Sequence, residues 1–442
     1  MTDSIPALIA PPPQRRNAFL RSRAGVLGLG FLALMVLACV GTLPWTLAPA
    51  APPADQAPGS PAAAVARYNA GDMNQWGLPP WWWGPRDDEE VRRLNGLIPP
   101  AALGRIAAAH GLPPEQAAAA VDGPIAADLE RHWPIHQHRL WFLLGSDVPG
   151  GRSLLVRSLA GGGVSLGIGI AAAMLAVFIG TMYGALSAYA GGVVDAVMMR
   201  IVDVLYGLPY VLLVVLLAVA SDAMLDEYIT RSGARGRWVH REAAIVARER
   251  GLDDSLTAVQ RLLRDDPALS STLGDRAAAN ADLQPRRVSA GTRMFYEVVV
   301  LLVAIGGVSW LTMARVVRGQ VLSLKAQPFM EAARALGVPW RRQFLRHLLP
   351  NLIGPIVVYA TLTVPQAILQ ESFLSFLGIG VKPPLPSWGN LASDGLSQLN
   401  PYRSYWWLLF FPCLFLALTL LALNFVGEGL REALDPKRSR RG

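Results

Sequence analysis

Charge is scarce in this chain: of 442 residues only 16% are Asp, Glu, Lys or Arg, 52% are hydrophobic, and the mean hydropathy is +0.33. A soluble protein carries about 25% charged residues, so the bulk of this one belongs in lipid. Cysteine is nearly absent as well. The two present, Cys39 and Cys413, lie in apolar runs, which excludes a disulfide framework and a cysteine-based zinc site. No G-x-x-x-x-G-K-[ST] occurs, so the chain has no loop to cradle nucleotide phosphates. H-E-x-x-H and G-x-S-x-G are also missing, which leaves a polytopic protease or esterase without a metal site or nucleophile. No catalytic residue, metal or cofactor is assigned.

One histidine cluster stands out: His132, His136 and His138. Neutral imidazole suits zinc or nickel, but Pro134 breaks the helix that would align two of the rings. The interleaved Trp133, Ile135 and Trp141 read instead as an interfacial aromatic belt.

What is abundant is long apolar sequence. Arg15, Arg16, Arg21 and Arg23 precede an uncharged run from Ala24 to Trp45. A run of about 20 residues spans a bilayer as a helix, whereas a signal h-region is about 7–15. Ala48, Ala50 and Ala51 keep cleavage as the competing reading. Further spans are expected at about 160–190, 201–220, 298–314, 351–370 and 405–427, giving six. Gly163, Gly167, Gly180 and Gly184 supply small-xxx-small spacing for close helix packing.

The loop from Arg315 to Pro350 carries Arg315, Arg318, Lys325, Arg334, Arg341, Arg342 and Arg346 against Glu331 alone, which marks it as cytoplasmic. Counting alternate spans puts the basic N-terminus and the tail Lys437, Arg438, Arg440, Arg441 on the same side. The net charge of +8 then reflects loops facing anionic lipid, not nucleic acid. The expected organisation is a basic N-terminus (1–23), the first helix (24–45), an external extension (46–157), the second and third spans (158–220), an external insertion (221–293), and the last three spans (294–436) with a cytoplasmic loop at 319–350, ending in a basic tail (437–442).

Both external regions read as helical decorations. Pro99-Pro100 and Pro113-Pro114 each precede alanine-rich sequence in the first, which also holds the acidic run Asp87, Asp88, Glu89, Glu90. In the second, Asp254 is placed to cap a helix with Leu256, Val259, Leu262 and Leu263 on one face, ending before Pro267.

The most informative stretch is Glu331 to Trp340, continuing to Leu349-Pro350. Strong helix formers run to Leu336, Gly337 suits a left-handed stop, and Pro339 suits the first turn of a second helix. Pro350 is expected to break the chain before the next span. Read blandly, this is an amphipathic hairpin on the membrane surface.

Glu331, Ala332, Ala333 and Gly337, followed by Leu349 and Pro350, resemble the E-A-A-x-x-x-G…I-x-L-P signature of integral-membrane permeases of binding-protein-dependent ABC importers, with His347 in the isoleucine position. Four further blocks are similar to the dipeptide and oligopeptide permeases, of the second permease-subunit type. They are Leu144-Gly145-Ser146-Asp147 with Gly151-Arg152 and Arg157; Gly191-Gly192 with Asp195, Arg200, Asp203 and Pro209; the external loop Leu374–Gly389; and Asn424 to Pro436. The first block departs by one extra residue after Asp147, by Ser153 for an aspartate and by Gly163 for an arginine.

The resemblance implies an all-α membrane protein of six transmembrane helices, N-in and C-in, in the inner membrane of a bacterium, with external helical insertions. It further implies energy coupling through Glu331, Ala332, Ala333, Gly337, Leu349 and Pro350. The expected partners are a second homologous permease, two cytoplasmic ATPases and a periplasmic substrate-binding protein, with peptide as cargo; nickel, opines or peptide antibiotics are alternatives. Asp195, Arg200 and Asp203 are expected to form structural ion pairs within one helix. The runner-up class is a secondary transporter, which needs embedded carboxylates or inverted repeats; Asp203, Glu297 and Glu371 are read near span ends. A membrane-anchored enzyme or scaffold is a third class. The extra residues 46–143 and 221–293 are expected where the binding protein docks.

Overall fold

The computed structural model describes residues 18–50, 65–71, 76–80, 82–83, 108–109, 111, 142–285, 289–399 and 404–434. The acidic run 87–90, both Pro-Pro pairs, the histidine cluster and the basic tail lie outside them. The described residues are helical, with isolated two-residue bridges and no strand among them. Two compact units are formed, residues 1–210 with 301–442, and residues 211–300.

After a single turn at Ala18–Arg21, the α-helices in chain order are α1 (Arg23–Cys39), α2 (Leu43–Leu47), α3 (Leu154–Ala190), α4 (Gly192–Tyr206), α5 (Tyr210–Thr230), α6 (Ser232–Glu249), α7 (Leu256–Asp265), α8 (Pro267–Ala279), α9 (Ala290–Lys325), α10 (Pro328–Ala335), α11 (Trp340–Gln343), α12 (Leu349–Phe376), α13 (Trp388–Ser397) and α14 (Trp406–Leu434). Five stretches are long and apolar enough to cross a membrane: Arg23–Leu47, Leu154–Ala190, Gly291–Lys325, Arg341–Phe376 and Trp406–Ala433. Gly192–Tyr206 with Val211–Thr230 makes a sixth if the pair counts as one broken span. The chain is thus an all-α membrane protein, and the span expected at 201–220 is interrupted at 207–209, where Pro209 denies the chain a helical N–H. The helix of the fourth span runs further than the uncharged run suggested, to Lys325, because Arg315, Arg318 and Lys325 find partners on α3 and α4.

Capping explains several boundaries. Ser22 accepts from the Gly25 N–H at 3.2 Å at the start of α1, and Ser153 starts α3 by accepting from Val156. Between α3 and α4 the backbone turns through Gly191 (φ +66°) and Gly192 (φ +54°), a left-handed pair that side chains resist. Ser387 and Asn390 form a reciprocal capping box that starts α13, a helix inside what read as a plain external loop.

The first unit buries several apolar clusters. Cys39, Leu166, Ile368, Trp388 and Leu423 meet in the middle of the bundle, with Trp388 donating through its indole to the Ser158 carbonyl at 3.0 Å. Glycines set how closely α3 is approached. A Cβ on Gly180 would lie 2.5 Å from Met313 Cβ and 2.7 Å from the Trp310 carbonyl, and one on Gly184 would run into the backbone of Ala314 and Arg318. Gly163 faces Leu43. Gly167, the fourth member of the expected stripe, has nothing within 4 Å and takes no part in it. Gly184→Ala should therefore cost about 1–3 kcal/mol of packing, whereas Gly167→Ala should be neutral or mildly stabilising. Comparing the monodisperse fraction of the two variants after heating in detergent checks this, and equal losses would dismiss the packing role of Gly184.

The second unit has its own small core of Ala243, Val259 and Leu273, lined by Val239, Leu263 and Leu269. Of the expected apolar stripe on α7, Val259 and Leu263 enter this core while Leu256 is exposed, and the cap is Ser255, which accepts from Ala258 N–H at 3.4 Å. Asp254 instead bonds Arg248 at 2.5 Å, and Asp253 holds Ser255 in a local turn. Asp266 closes α7 and caps α8 through Leu269; that N–H and then Arg250 hold its carboxyl below the usual range.

Candidate functional site

The signature residues build a hairpin at one end of the first unit. α10 begins with Pro328 at its first position, where a missing N–H costs nothing. Its end is a complete Schellman motif: Val338 N–H donates to the Ala333 carbonyl at 3.1 Å and Gly337 N–H to Arg334 at 2.9 Å, with Gly337 at φ +68°. Gln343, buried, ties the second limb back by donating to the Val338 carbonyl at 2.6 Å. The two limbs also meet through Phe329 and His347, with ring centroids 6.5 Å apart, so the histidine in the isoleucine position keeps a packing role.

The two faces of α10 differ. Met330 is fully buried and Ala333 nearly so, whereas Glu331, Ala332, Ala335 and Leu336 are exposed, Leu336 by 82%. Met330 enters a core with Ala185 and Ala188 of α3, Met313, Val317 and Val321 of α9, and Leu348 and Leu352 beside it. The hairpin is thereby rooted in three spans at once. Leu349 is half-buried and Pro350 exposed. Pro350 does not break the chain as expected. Its missing N–H and ring are absorbed by a π-helical turn, Phe344–Leu348, and the helix runs on through α12.

Polar groups fix the spans beside the hairpin. Lys325 donates to the carbonyls of Ala188 and Tyr189 at 2.7 and 3.1 Å, closing the C-terminus of α3. Arg334 reaches the Lys325 carbonyl at 3.5 Å. Asp195 accepts from Arg318 at 2.6 and 2.5 Å and from Ser187 at 2.5 Å; Asp203 pairs with Arg315 at 2.9 Å. Arg200 was expected to serve both aspartates, but it is exposed and makes no ion pair among the described residues. An i,i+5 spacing turns Arg200 away from Asp195, and the arginines of α9 reach across instead.

At the other end of α3, about 55 Å away by helical rise, lies a second polar cluster. Asp147 accepts from Arg152 Nε at 2.6 Å, from the Arg152 N–H at 2.7 Å, and from the buried Arg157. Arg157 also faces Asp394 of α13 at 3.6 Å, and Arg152 donates to Asn69 at 2.8 Å. The sequence blocks named Asp147, Arg152 and Arg157; Asp394, more than 200 residues on, carried no local signal. Glu371, five residues before the end of α12, is fully buried and accepts from Ser375 at 2.7 Å and Ser372 at 3.2 Å, with Ser165 and Ser387 also facing it.

Comparison with known proteins agrees with this architecture. Residues 176–440 match the family model described as "Binding-protein-dependent transport system inner membrane component". The chain is 38% identical to an oligopeptide transport system permease protein of Haemophilus influenzae, over 67% of this chain and 71% of the relative. It is 40% identical to the corresponding protein of Escherichia coli K12 over 65% and 70%, and 35% identical to a dipeptide transport system permease protein of Bacillus subtilis over 68% and 69%. With a multi-span helical bundle and most of its length inside these matches, the chain belongs to the family of inner-membrane components of binding-protein-dependent transport systems.

Proposed function

We propose that this chain is one of two paired permeases of an ATP-driven peptide importer. ATP is hydrolysed by two separate cytoplasmic subunits, and a periplasmic binding protein delivers the cargo. The permease names of its relatives support peptide as the cargo class. The observation that carries the mechanism is the two-faced α10. Its exposed Glu331, Ala332 and Leu336 form the surface offered to the ATPase, and alanines allow close approach there. Its buried Met330 couples any movement of that surface to α3, α9 and α12. Closure of the ATPases then biases a bundle with two arrangements, which requires only that the partner bind the two arrangements with different affinity.

The secondary-transporter reading asks for an embedded carboxylate free to exchange its partner. Asp195 and Asp203 are each matched by an arginine, and Glu371 is held by Ser372 and Ser375 of its own helix with Ser165 of α3 and Ser387 at the start of α13 beside it, which favours the ABC reading.

The orientation supported by the basic loops is hairpin inside, 221–293 outside, where the insertion meets the incoming binding protein. In intact cells with native cysteines replaced, Leu336→Cys should resist a membrane-impermeant thiol reagent until the cells are opened, while Arg276→Cys should react at once. Immediate labelling at 336 would overturn the coupling role altogether.

A further inference from the structure

A groove of about 350 Å³ runs between α3 and the foot of the fifth span. One wall is Met182, Ala185, Leu186 and Tyr189, spaced i, i+3, i+4, i+7 and so forming a single stripe of α3; the other is Phe344 and Leu345 of the π-turn. The lining is apolar apart from the phenol of Tyr189 and one charged residue, Arg341, which is exposed one helical turn before Phe344. We propose that this groove binds one anionic glycerophospholipid of the surrounding bilayer, with an acyl chain along the α3 stripe and the phosphate on Arg341.

Both walls belong to stretches long and apolar enough to cross a membrane, Leu154–Ala190 and Arg341–Phe376, and the groove lies at the ends of both that adjoin the hairpin, where acyl chain gives way to headgroup if the two cross the bilayer. Along the stripe from Met182 to Leu186 water has no polar side chain to hold it. An occupant suited to the groove offers an apolar body to the α3 stripe and an anionic group to Arg341. A phospholipid satisfies both demands, since its chain is apolar and its phosphate matches the planar guanidinium, whose five N–H donors serve a phosphate alongside a protein partner. Exposed Arg342 and Arg346 follow on the same short segment and add to the local positive potential. The groove borders the turn that joins the hairpin to α12, so the bound lipid braces the element on which the hairpin pivots. This inference rests on membrane placement of the two spans and is independent of what docks on Glu331.

The test uses the purified full-length chain in nanodiscs of equal phosphatidylglycerol and phosphatidylcholine, released and weighed by native mass spectrometry. Wild type should retain one phosphatidylglycerol about fivefold in preference to phosphatidylcholine, the discrimination one surface cation gives an anionic headgroup. Arg341→Gln should keep a bound lipid and lose the preference. Leu186→Trp and, from the opposite wall, the solvent-tolerant Leu345→Trp should each lose the retained lipid. Equal retention of both lipids by wild type, or unchanged retention in both tryptophan variants, would refute the site. So would a photoreactive residue at 345 that labels the paired permease in membranes instead of lipid.

Discussion

Replacing Gly337 with valine is expected to cut ATP-driven uptake by roughly 5–30-fold while leaving the chain inserted at normal abundance. Gly337 holds φ +68°, and an added Cβ there meets no atom within 4 Å, so the penalty is purely conformational. For an L-residue that region costs about 1–2 kcal/mol, and a β-branched residue tolerates it least. The Schellman bonds from Gly337 and Val338 to Arg334 and Ala333 are lost when the φ changes, which redirects α11 away from α10. Because the hairpin is anchored mainly by Met330 and Ala333, the strain is relieved there and not in the spans. The docking-competent fraction falls by the Boltzmann factor of that strain, and apparent affinity for the ATPase falls with it. Asparagine, which visits the left-handed region more readily, should fall between. Uptake into proteoliposomes at matched chain density decides the matter, and wild-type rates for valine would show that the turn has no part in coupling.

Such a residue is legible in the sequence because its requirement is local. A helix-forming run, a glycine and a following proline specify the turn whatever surrounds it, and the structure has both limbs where Leu336, Gly337 and Pro339 implied. Long apolar runs are legible for the same reason, since lipid imposes length and composition on each span separately. Where they end is not. Arg315, Arg318 and Lys325 looked like a loop beyond a span closing at 314, yet they lie on α9, which continues to Lys325 because Asp203, Asp195 and the α3 carbonyls receive them. Those partners are more than 100 residues away. The same blindness assigned Asp195 and Asp203 to Arg200, the basic residue nearest in sequence. It also left Asp394 and the burial of Glu371 unread, since each is defined by what α13 is folded against. A stripe of glycines shows that some close packing exists, but only the neighbouring backbone tells Gly184, which needs its hydrogen, from Gly167, which does not. A sharper signal was available for α13: Ser387 and Asn390 have the spacing of a reciprocal cap.

The second large effect lies at the far end of α3. Asp147→Ala should destabilise the folded chain by about 3–5 kcal/mol, because it removes the main counter-charge of a guanidinium that is 4% exposed. Arg157 would be left with Asp394 at 3.6 Å, a longer contact to a carboxylate whose side chain is 55% exposed. Arg152, 22% exposed, would lose its carboxylate partner too, but it keeps Asn69 and can turn towards solvent. Arg157 cannot, since it lies within the first turn of α3 behind the loop from 142 to 153. If uncompensated buried charge is the cause, removing the charge itself must help. Asp147→Ala combined with Arg157→Met should therefore recover more than half of the loss, although it has one interaction fewer than the single variant. Thermal stability in detergent, followed for the wild type, both single variants and the pair, closes the cycle. A double variant no more stable than Asp147→Ala would mean that the cluster acts through shape, and that the loop is held to α3 by packing of Leu144 and Leu154 against Trp407 instead of by charge.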